Sequence, residues 1–254
     1  MKTELAVFLL GGYDLEMITI KHILEGRDDC LVIDKHLDWG SAKLSCYKKE
    51  MDLYSDATIY GIELQEDIPI PDSYQRIDHH NDYSDKPSSL EQVAIIINHG
   101  LNRYEQLVAA NDKGYIPAMM AMQASPEEIE VIRKKDRMAQ GVSEPDERLA
   151  EQALKNDLKQ YPRLWTVRSK SSCFSPICDR LFPYPSLLIY TDEEWMLYGK
   201  GKKDLTLLYE EEIKQGKIFH GGGDYGYIGS VKNAYSQTEI LRIVEQIKLK
   251  YASI

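Results

Sequence analysis

A short apolar run near the start of the chain constrains the fold more than any other feature. Residues 5–10 read Leu-Ala-Val-Phe-Leu-Leu, and Gly11-Gly12 follows at once. A continuous apolar run of this length is typical of a strand buried on both faces of a parallel sheet. Tyr13-Asp14-Leu15-Glu16 comes next, and apolar residues then recur with helical spacing until Gly26. This order of strand, acidic turn and helix predicts an α/β fold.

Three further short segments are predicted strands, and an acidic residue follows each of them. They are residues 30–33 before Asp34, residues 57–62 before Glu63, and residues 74–77 before Asp78. We expect a helix from about Trp39 to Lys49. Strands that alternate with helices imply a mostly parallel sheet covered on both faces.

Acidic and histidine side chains follow the ends of these predicted strands. They are Asp14, Glu16, Asp34, Glu63, Asp78 and His79. Ligands of open parallel sheets bind at the edge formed by the carboxyl ends of the strands, so we expect these residues to converge there. Asp112 lies near the end of a helix predicted from Asn102, and it is expected to point back at the same edge.

Carboxylates joined by a few imidazoles suit manganese or magnesium better than zinc, which favours more histidine or cysteine. Several carboxylates in one crevice repel one another unless cations lie between them. Two such ions would clamp a phosphate and activate water, and Glu63 could bridge them. The alternative is that each acid caps a helix or occupies a turn, which is the better interpretation for Asp14 alone. For the whole set we favour the metal site.

The segment Asp34-Lys35-His36-Leu37-Asp38 offers three ligand side chains at alternate positions. They supplement the metal site or begin the helix expected at Trp39, and the sequence favours neither. His22 and His99 are interpreted as structural or exposed.

A charged helical segment follows the first domain. Ser125-Pro126-Glu127-Glu128 is a strong helix start, and helical sequence runs to about Asn156 with an interruption near Gly141. We interpret its charges as a solvated face.

The remaining sequence predicts a smaller α/β domain. Its expected elements are a strand at Trp165, a helix over 176–181, a hairpin of 187–190 with 195–198, a helix over 205–215 and a last helix capped by Ser236. The fold class is therefore α/β in three segments. They are an N-terminal parallel-sheet domain over 1–124, a helical connector over 125–160 and a C-terminal domain over 161–254.

A glycine stretch, Gly221-Gly222-Gly223, lies between His220 and Asp224. Successive glycine N–H groups can cradle a phosphate, although a tight turn is the commoner use of such a run. Arg168 and Lys170 could add positive charge opposite a phosphate. For each of them alone, simple surface exposure is the better explanation.

Composition excludes several functional classes. Lysine and arginine total 31 against 41 aspartates and glutamates, and the net charge of −10 argues against a broad surface for duplex DNA. No apolar run approaches the roughly 20 residues of a membrane span, and the N-terminus shows no cleavage signal. We therefore expect a cytoplasmic protein without membrane contact. The four cysteines lack C-x-x-C spacing and are interpreted as reduced thiols.

The chain resembles the DHH phosphoesterase superfamily, which includes RecJ-like exonucleases, oligoribonucleases, cyclic-dinucleotide phosphodiesterases and family II pyrophosphatases. The motif that names the group stands here as Asp78-His79-His80. The other motifs follow in the family's order across nearly the whole chain. They are similar to Asp14-Leu15-Glu16, Glu63, Asp112 and the glycine run that ends at Asp224.

The resemblance implies a role for each matching residue. Metal binding, to one or two Mn(II) or Mg(II) ions, falls to Asp14, Glu16, Glu63, His79 and Asp112, with Asp34 and His36 as further candidates. Catalytic contacts fall to Asp78, His79 and His80. Substrate binding in a DHH-associated second domain falls to Gly221, Gly222, Gly223 and Asp224, and the residues themselves add Arg168 and His220 as candidates.

Four positions depart from the family pattern. Leu10 stands where a histidine is usual, Glu16 and Glu63 replace aspartates, and Asp224 replaces the histidine of the glycine motif. These changes leave open whether the site supports catalysis.

We expect a metal-dependent phosphoesterase acting on a nucleotide, a cyclic dinucleotide or a short oligonucleotide. The alternative is a degenerate relative that binds a nucleotide or a protein partner without hydrolysis. A pyrophosphatase-like activity is a third and less favoured hypothesis, because the sequence shows no clear basic clamp in the second domain. A homodimer is one candidate state of assembly.

Overall fold

The computed structural model describes residues 5–222 and 226–251. It divides into two compact units, Met1–Gly141 and Val142–Ile254. The boundary between the units lies inside the connector expected over 125–160, so each unit contains part of it. The functional roles given to the three segments stay a prediction. Within the described residues, no helix combines the length and apolar character needed to cross a membrane.

A parallel sheet forms the centre of the first unit. Its strands are β1 (Ala6–Leu10), β2 (Cys30–Ile33), β3 (Thr58–Ile62) and β4 (Tyr74–Ile77). Within the described part of the chain they lie in the order β2-β1-β3-β4, and every neighbouring pair is parallel. The α/β class and the parallel sheet are thus confirmed.

Helices cover this sheet. They are α1 (Leu15–Glu25), α2 (Lys48–Leu53), α3 (Ser89–Ile96), α4 (Arg103–Ala121) and α5 (Pro126–Ala139), with short 3-10 helices at Leu44–Tyr47 and Asn81–Tyr83. Helix α1 packs against α3, α4 and α5. A buried cluster that includes Val7, Leu9, Tyr47 and Ile59 joins the sheet to the segment around α2.

The helix expected from Trp39 to Lys49 is wrong in its first half. An Asp34 carboxylate oxygen accepts a hydrogen bond from the backbone N–H of His36 at 2.7 Å, and His36 has φ of +51°. Such local side-chain bonding and left-handed backbone favour turns over helix. Helical structure begins only at Leu44, whose N–H donates to the Gln65 carbonyl.

Helix α4 contains a sharp kink. Gly114 and Tyr115 have non-helical backbone angles, and Tyr115 has φ of +59°. Pro117 lacks the N–H that would bond the Lys113 carbonyl, so the helix breaks just before it. Asp112 therefore lies at the end of the straight first part of α4.

The second unit contains a mixed sheet. Its described strands are β5 (Lys159–Gln160), β6 (Trp165–Arg168), β7 (Ser186–Tyr190), β8 (Trp195–Gly199), β9 (Ile218–Gly221) and β10 (Tyr227–Ser230), in the order β5-β6-β7-β8-β10-β9. Only β6 and β7 pair in parallel among them. The hairpin predicted from the sequence is confirmed as β7–β8.

The helices of this unit are α6 (Glu144–Asp157), α7 (Ser175–Leu181), α8 (Lys202–Leu208), α9 (Glu210–Lys214) and α10 (Gln237–Tyr251). The single helix expected over 205–215 is broken in two at Tyr209, where φ is −107°. A buried cluster beneath α8 and α10 includes Trp195, Leu205, Ile228 and Ile240.

A substitution at Gly61, in β3, tests how closely this sheet is packed. A methyl group at Gly61 would lie 2.2–2.6 Å from the Tyr74 side chain, whereas nothing lies within 4 Å of one at Gly40. We expect Gly61→Ala to lower the free energy of unfolding by about 1–3 kcal/mol, since overpacking forces neighbouring groups to move. Urea denaturation followed by circular dichroism measures the loss. Gly40→Ala is the matched control, and an equal effect of both variants would contradict this packing.

Candidate metal centre

Sheet register explains why distant residues meet in the first unit. Leu10 on β1 is paired with Ile62 on β3, and Ile62 is paired with Ile77 on β4. Three adjacent parallel strands therefore end at the same level. The residues that follow them, including Asp14, Glu63 and His79, emerge at one edge of the sheet.

Four side chains at this edge form a compact group. Glu63, His79, His80 and Asp112 each offer an atom that can ligate a metal, and these atoms lie within 4.8 Å of one another. We call them the ligand cluster. Nε2 of His79 lies 2.5 Å from Oδ2 of Asp112 and 3.4 Å from Oε1 of Glu63. Oε2 of Glu16 adjoins the cluster, 3.6 Å from the same nitrogen.

Within the part of the chain that the structure describes, three buried atoms of this region have no hydrogen-bond partner: Oε2 of Glu16, Nε2 of His79 and Oδ2 of Asp112. Unsatisfied buried polar atoms are rare in folded proteins because each costs about 1–3 kcal/mol. All three converge on one space, and their short mutual distances lack hydrogen-bond geometry. A divalent cation would satisfy all three at once. Oxygen ligands with one imidazole suit Mn(II) or Mg(II), so the residues fit such an ion.

The start of α3 holds two of the acids in place. The backbone N–H of Leu90 donates to Oε1 of Glu16 at 3.0 Å, and the Ser89 hydroxyl donates to Oε1 of Glu63 at 2.7 Å. Ser88 caps this helix and shares a capping box with Glu91. Such supporting contacts orient metal ligands. The sequence predicted the helix cap, but no local signal identified Ser89 as a partner of Glu63.

The backbone is also specialised around Glu63. This residue has φ of +52°, a left-handed conformation that is costly for a side chain of this size and is often found at functional sites. A Cβ at Gly11 would lie 2.3 Å from the Ile62 carbonyl oxygen, so only glycine allows β1 to end this close to β3.

Asp14 caps α1, and its Oδ1 accepts a hydrogen bond from the Met17 N–H at 2.9 Å. It is 4% exposed, so it is a buried cap and not a solvated one. The structure therefore shows Asp14 as the cap of α1. Its assignment as a metal ligand stays a prediction.

Asp78 faces His80. One oxygen of Asp78 accepts a hydrogen bond from the His80 N–H at 2.9 Å and lies 3.2 Å from Nδ1 of the same ring. These contacts outweigh burial and lower the pKa of Asp78, while Asp78 raises the pKa of His80. The side chain of His80 is 42% exposed, so its ring reaches both the cluster and solvent.

Two other predicted ligands lie apart from the cluster. Asp34 forms an ion pair with Lys21 at 2.8 Å, and His36 is mostly exposed, with Nδ1 3.4 Å from Asp34. The structure does not bring either of them into the ligand cluster. Leu10 is 1% exposed and belongs to the core, so it provides no ligand where the family pattern has a histidine.

Three of the predicted substrate-binding residues, Arg168, His220 and Gly222, line two cavities of the second unit. Arg168 pairs with Asp192 at 2.7 Å and lines a cavity of about 790 Å³ with Lys170. His220 and Gly222 line another cavity of about 870 Å³. Gly221 ends β9, and Gly222 continues into the turn with φ of +70°. Gly223 and Asp224 lie outside the described residues.

Burial is the main cause of the pKa shifts of Asp14 and Glu16, the two acids beside the ligand cluster. It raises the pKa of Asp14 to about 7, with the nearby charge of Asp112 adding to the effect. Burial also raises the pKa of Glu16 well above its usual range, although His79 opposes the shift. For His79 burial acts in the other direction, but the surrounding carboxylates outweigh it and raise the pKa to about 12. The metal-free site therefore retains protons that a cation would displace.

Comparisons with known proteins give structural likeness only. No family model and no curated protein sequence matches the chain. Among solved structures, the chain is similar to PggH from Vibrio cholerae, a pGpG-specific phosphodiesterase, with 11% identity, a TM-score of 0.48, and coverage of 97% of this chain and 98% of that one. It is also similar to the DHH domain of a member of the s1p family of ribosomal proteins, with 11% identity, a TM-score of 0.47, and coverage of 98% and 88%.

A third similar structure is RecJ from Thermus thermophilus in complex with Mn²⁺, at 10% identity and a TM-score of 0.45. The match covers 98% of this chain and 53% of RecJ, so the chain spans about half of that protein. All three TM-scores lie below 0.5, and the function proposed below therefore rests on the geometry of the chain's own site.

A buried ion pair behind the site corrects one expectation. Charges of the predicted connector helices are not all solvated, because Arg133 and Asp136 of α5 are 8% and 5% exposed. Nη1 of Arg133 donates to Asp136 at 2.7 Å and to Asn111, the neighbour of Asp112, at 2.9 Å. The other Asp136 oxygen accepts from the Leu15 N–H at 3.4 Å.

This pair links the start of α1 to α4, two of the elements that bear site residues. Leu15 lies between Asp14 and Glu16, and Asn111 precedes Asp112. The buried residues of α5 include Ile132, Arg133, Asp136 and Arg137, which share one helical face. That spacing was present in the sequence, but charged residues at core positions give no hydrophobic signal.

The raised pKa values predict how the metal-free protein responds to pH. Between about pH 4 and 7 the folded state binds more protons than the unfolded chain, because Asp14 titrates near 7 when folded and near 3.8 when unfolded. His79, with values of about 12 and 6.5, acts in the same direction above pH 6.5. We expect the free energy of unfolding in EDTA to fall as pH rises from 5.5 to 8, by up to about 1.4 kcal/mol per pH unit for each group.

Urea denaturation at several pH values measures this slope. Asp14→Asn should flatten its lower part, and saturating Mn(II) should reverse the trend because deprotonated ligands bind the ion. A metal-free protein that gains stability as pH rises would contradict the proposed charge distribution.

Asp136→Asn tests the supporting ion pair. The change removes the Asp136 charge that pairs with the buried Arg133, and breaking a buried ion pair typically costs about 3–5 kcal/mol. We expect a lower free energy of unfolding by denaturation and weaker Mn(II) binding by isothermal titration calorimetry. Asp56→Asn, at an exposed position of the same unit, is the control. Unchanged metal affinity and stability in Asp136→Asn would show that the pair does not support the site.

Proposed function

We propose that the protein is a metal-dependent phosphoesterase that hydrolyses a phosphoester bond of a nucleotide, a cyclic dinucleotide or a short oligonucleotide. The observation that supports this most is the convergence of three buried atoms without a hydrogen-bond partner among the described residues, from Glu16, His79 and Asp112, at the carboxyl edge of a parallel sheet. Their chemistry suits a divalent cation, and that edge is where such sheets bind ligands.

We assign cation binding to Glu63, His79 and Asp112, with Glu16 completing the set and Asp14 adjoining it. Mn(II) or Mg(II), as one ion or two, is the proposed cofactor. When bound, such an ion polarises a phosphoryl oxygen and lowers the pKa of water. The residues of the chain fix the ligand atoms in position and exclude bulk water, since Glu16, Glu63 and His79 are all buried.

His80 and Asp78 are the proposed groups for phosphate contact and proton handling. Nδ1 of His80 faces Asp78, which leaves Nε2 for a phosphate oxygen or a proton. Asp78 raises the pKa of His80, so the ring is more readily protonated and better able to contact an anion. His80 and Asp78 line one cavity of about 640 Å³ together with Glu63.

The substrate class follows from charge. A net charge of −10 disfavours long duplex DNA and is compatible with a small nucleotide. Binding of the rest of the substrate by the second unit, through Arg168, His220 and the glycine turn, stays a proposal.

The second candidate function is binding without hydrolysis. Leu10 favours it, because an apolar core residue stands where the family pattern has a metal-ligating histidine. The two candidates differ in one measurable property, which is turnover in the presence of metal.

Hydrolysis of bis-p-nitrophenyl phosphate and of a nucleotide panel with added Mn(II) tests the proposal. We expect His79→Ala to lower kcat/KM by at least about 100-fold, since even outer contacts of a metal site are worth 10- to 100-fold. His22→Ala, an exposed histidine at the end of α1, is the control and should match the wild-type protein. Metal binding without turnover on any substrate would favour the binding protein. The absence of Mn(II) binding by calorimetry would exclude the metal-dependent phosphoesterase.

A further inference from the structure

An exposed tryptophan lies beside the ligand cluster. Trp39 follows β2 in the irregular segment that replaces the expected helix, and it remains 49% exposed. Leu37, two residues earlier, packs against the buried cluster of the sheet. Trp39 instead lines the 640 Å³ cavity that it shares with Glu63, Asp78 and His80. A large aromatic side chain is thus exposed next to the residues proposed to bind phosphate and metal.

Gly12 supports one side of this indole ring. A methyl group at Gly12 would lie 2.4, 2.5 and 2.6 Å from Cδ2, Cε2 and Cε3 of Trp39. Similar distances to three adjoining ring atoms mean that the face of the ring lies against the backbone of Gly12. Any larger residue at this position would displace the indole. The loop after β1 therefore contributes Asp14 to the edge of the sheet and supports the indole of Trp39 through Gly12.

The indole and the ring of His80 meet edge to face. Their centroids are 5.7 Å apart and the rings are inclined at 66°. Trp39 is thus held by the backbone of Gly12 and by the ring of His80, while about half of its surface stays exposed. A supported aromatic ring with exposed surface is suited to stacking with nucleic-acid bases.

We propose that Trp39 is a stacking platform for a nucleobase of the substrate. This inference rests on the proposed function, because it places the phosphate at the ligand cluster and the base on Trp39 within the same cavity. It narrows the substrate class to phosphoesters that carry a purine or pyrimidine near the scissile phosphate. Inorganic pyrophosphate and base-free phosphoesters would gain nothing from this ring.

Steady-state kinetics with Mn(II) separate the base from the phosphate. The substrates are a 5′-phosphorylated adenine dinucleotide and the same molecule with abasic riboses. We expect Trp39→Ala to raise KM for the adenine dinucleotide about tenfold with little change in kcat, because stacking contributes about 1–3 kcal/mol per base. KM for the abasic substrate should not change, Trp39→Phe should restore most of the affinity, and Leu53→Ala, an exposed residue of α2, should behave as wild type.

Tryptophan fluorescence provides a readout that needs no hydrolysis. AMP with Mn(II) should quench the wild-type protein more than ribose 5-phosphate does, and this difference should vanish in Trp39→Phe. Wild-type KM for the adenine substrate in Trp39→Ala, or an equal rise for both substrates, would overturn the inference. If the wild-type protein hydrolyses neither substrate, the proposed function fails, and the AMP titration alone decides whether Trp39 binds a base: persistence of the AMP-specific quench in Trp39→Phe would refute the platform.

Discussion

Burial of several negative charges around one imidazole is the constraint on which the first unit depends. Asp14, Glu16 and Glu63 are each less than 9% exposed, and Asp112 lies beside them. Carboxylates at such distances destabilise one another in a medium of low polarity unless protons or cations compensate. Many local features serve to hold this unfavourable group together. Among them are the start of α3, the left-handed backbone of Glu63 and the close approach that Gly11 permits.

Much of this edge could be predicted from the sequence, for a simple geometric reason. Parallel strands of similar length end at the same side of a sheet, so an acid after each apolar run implies convergence without any knowledge of the loops. The register of β1, β3 and β4 confirms that convergence for Glu63 and His79. Predicting the position of Asp112 also required knowing where α4 breaks. Gly114 and Pro117 mark that break in the sequence.

Long-range polar contacts could not be predicted in the same way. Arg133 and Asp136 occupy core positions of α5, yet hydrophobic periodicity registers only apolar side chains. The helix expected from Trp39 to Lys49 is wrong in its first half for a related reason. The His36 N–H donates locally to the Asp34 carboxylate, and the Leu44 N–H donates to the Gln65 carbonyl, 21 residues further along the chain. Gln65, like the Asn111 partner of Arg133, lies outside the local sequence window.

The glycine turn of the second unit shows how tertiary contacts can change what a motif offers. A run of glycines suggests backbone N–H groups directed at an anion. In the structure Nζ of Lys202, from α8, donates to the carbonyls of Gly221 and Gly222 at 3.3 and 2.5 Å. The described part of the turn thus presents its oxygens to an ammonium group, and it is this charge that would attract an anion into the cavity lined by Lys202 and His220. In the proposed substrate site, a positive side chain from another helix would thus supply the attraction that the glycine pattern alone ascribes to the backbone.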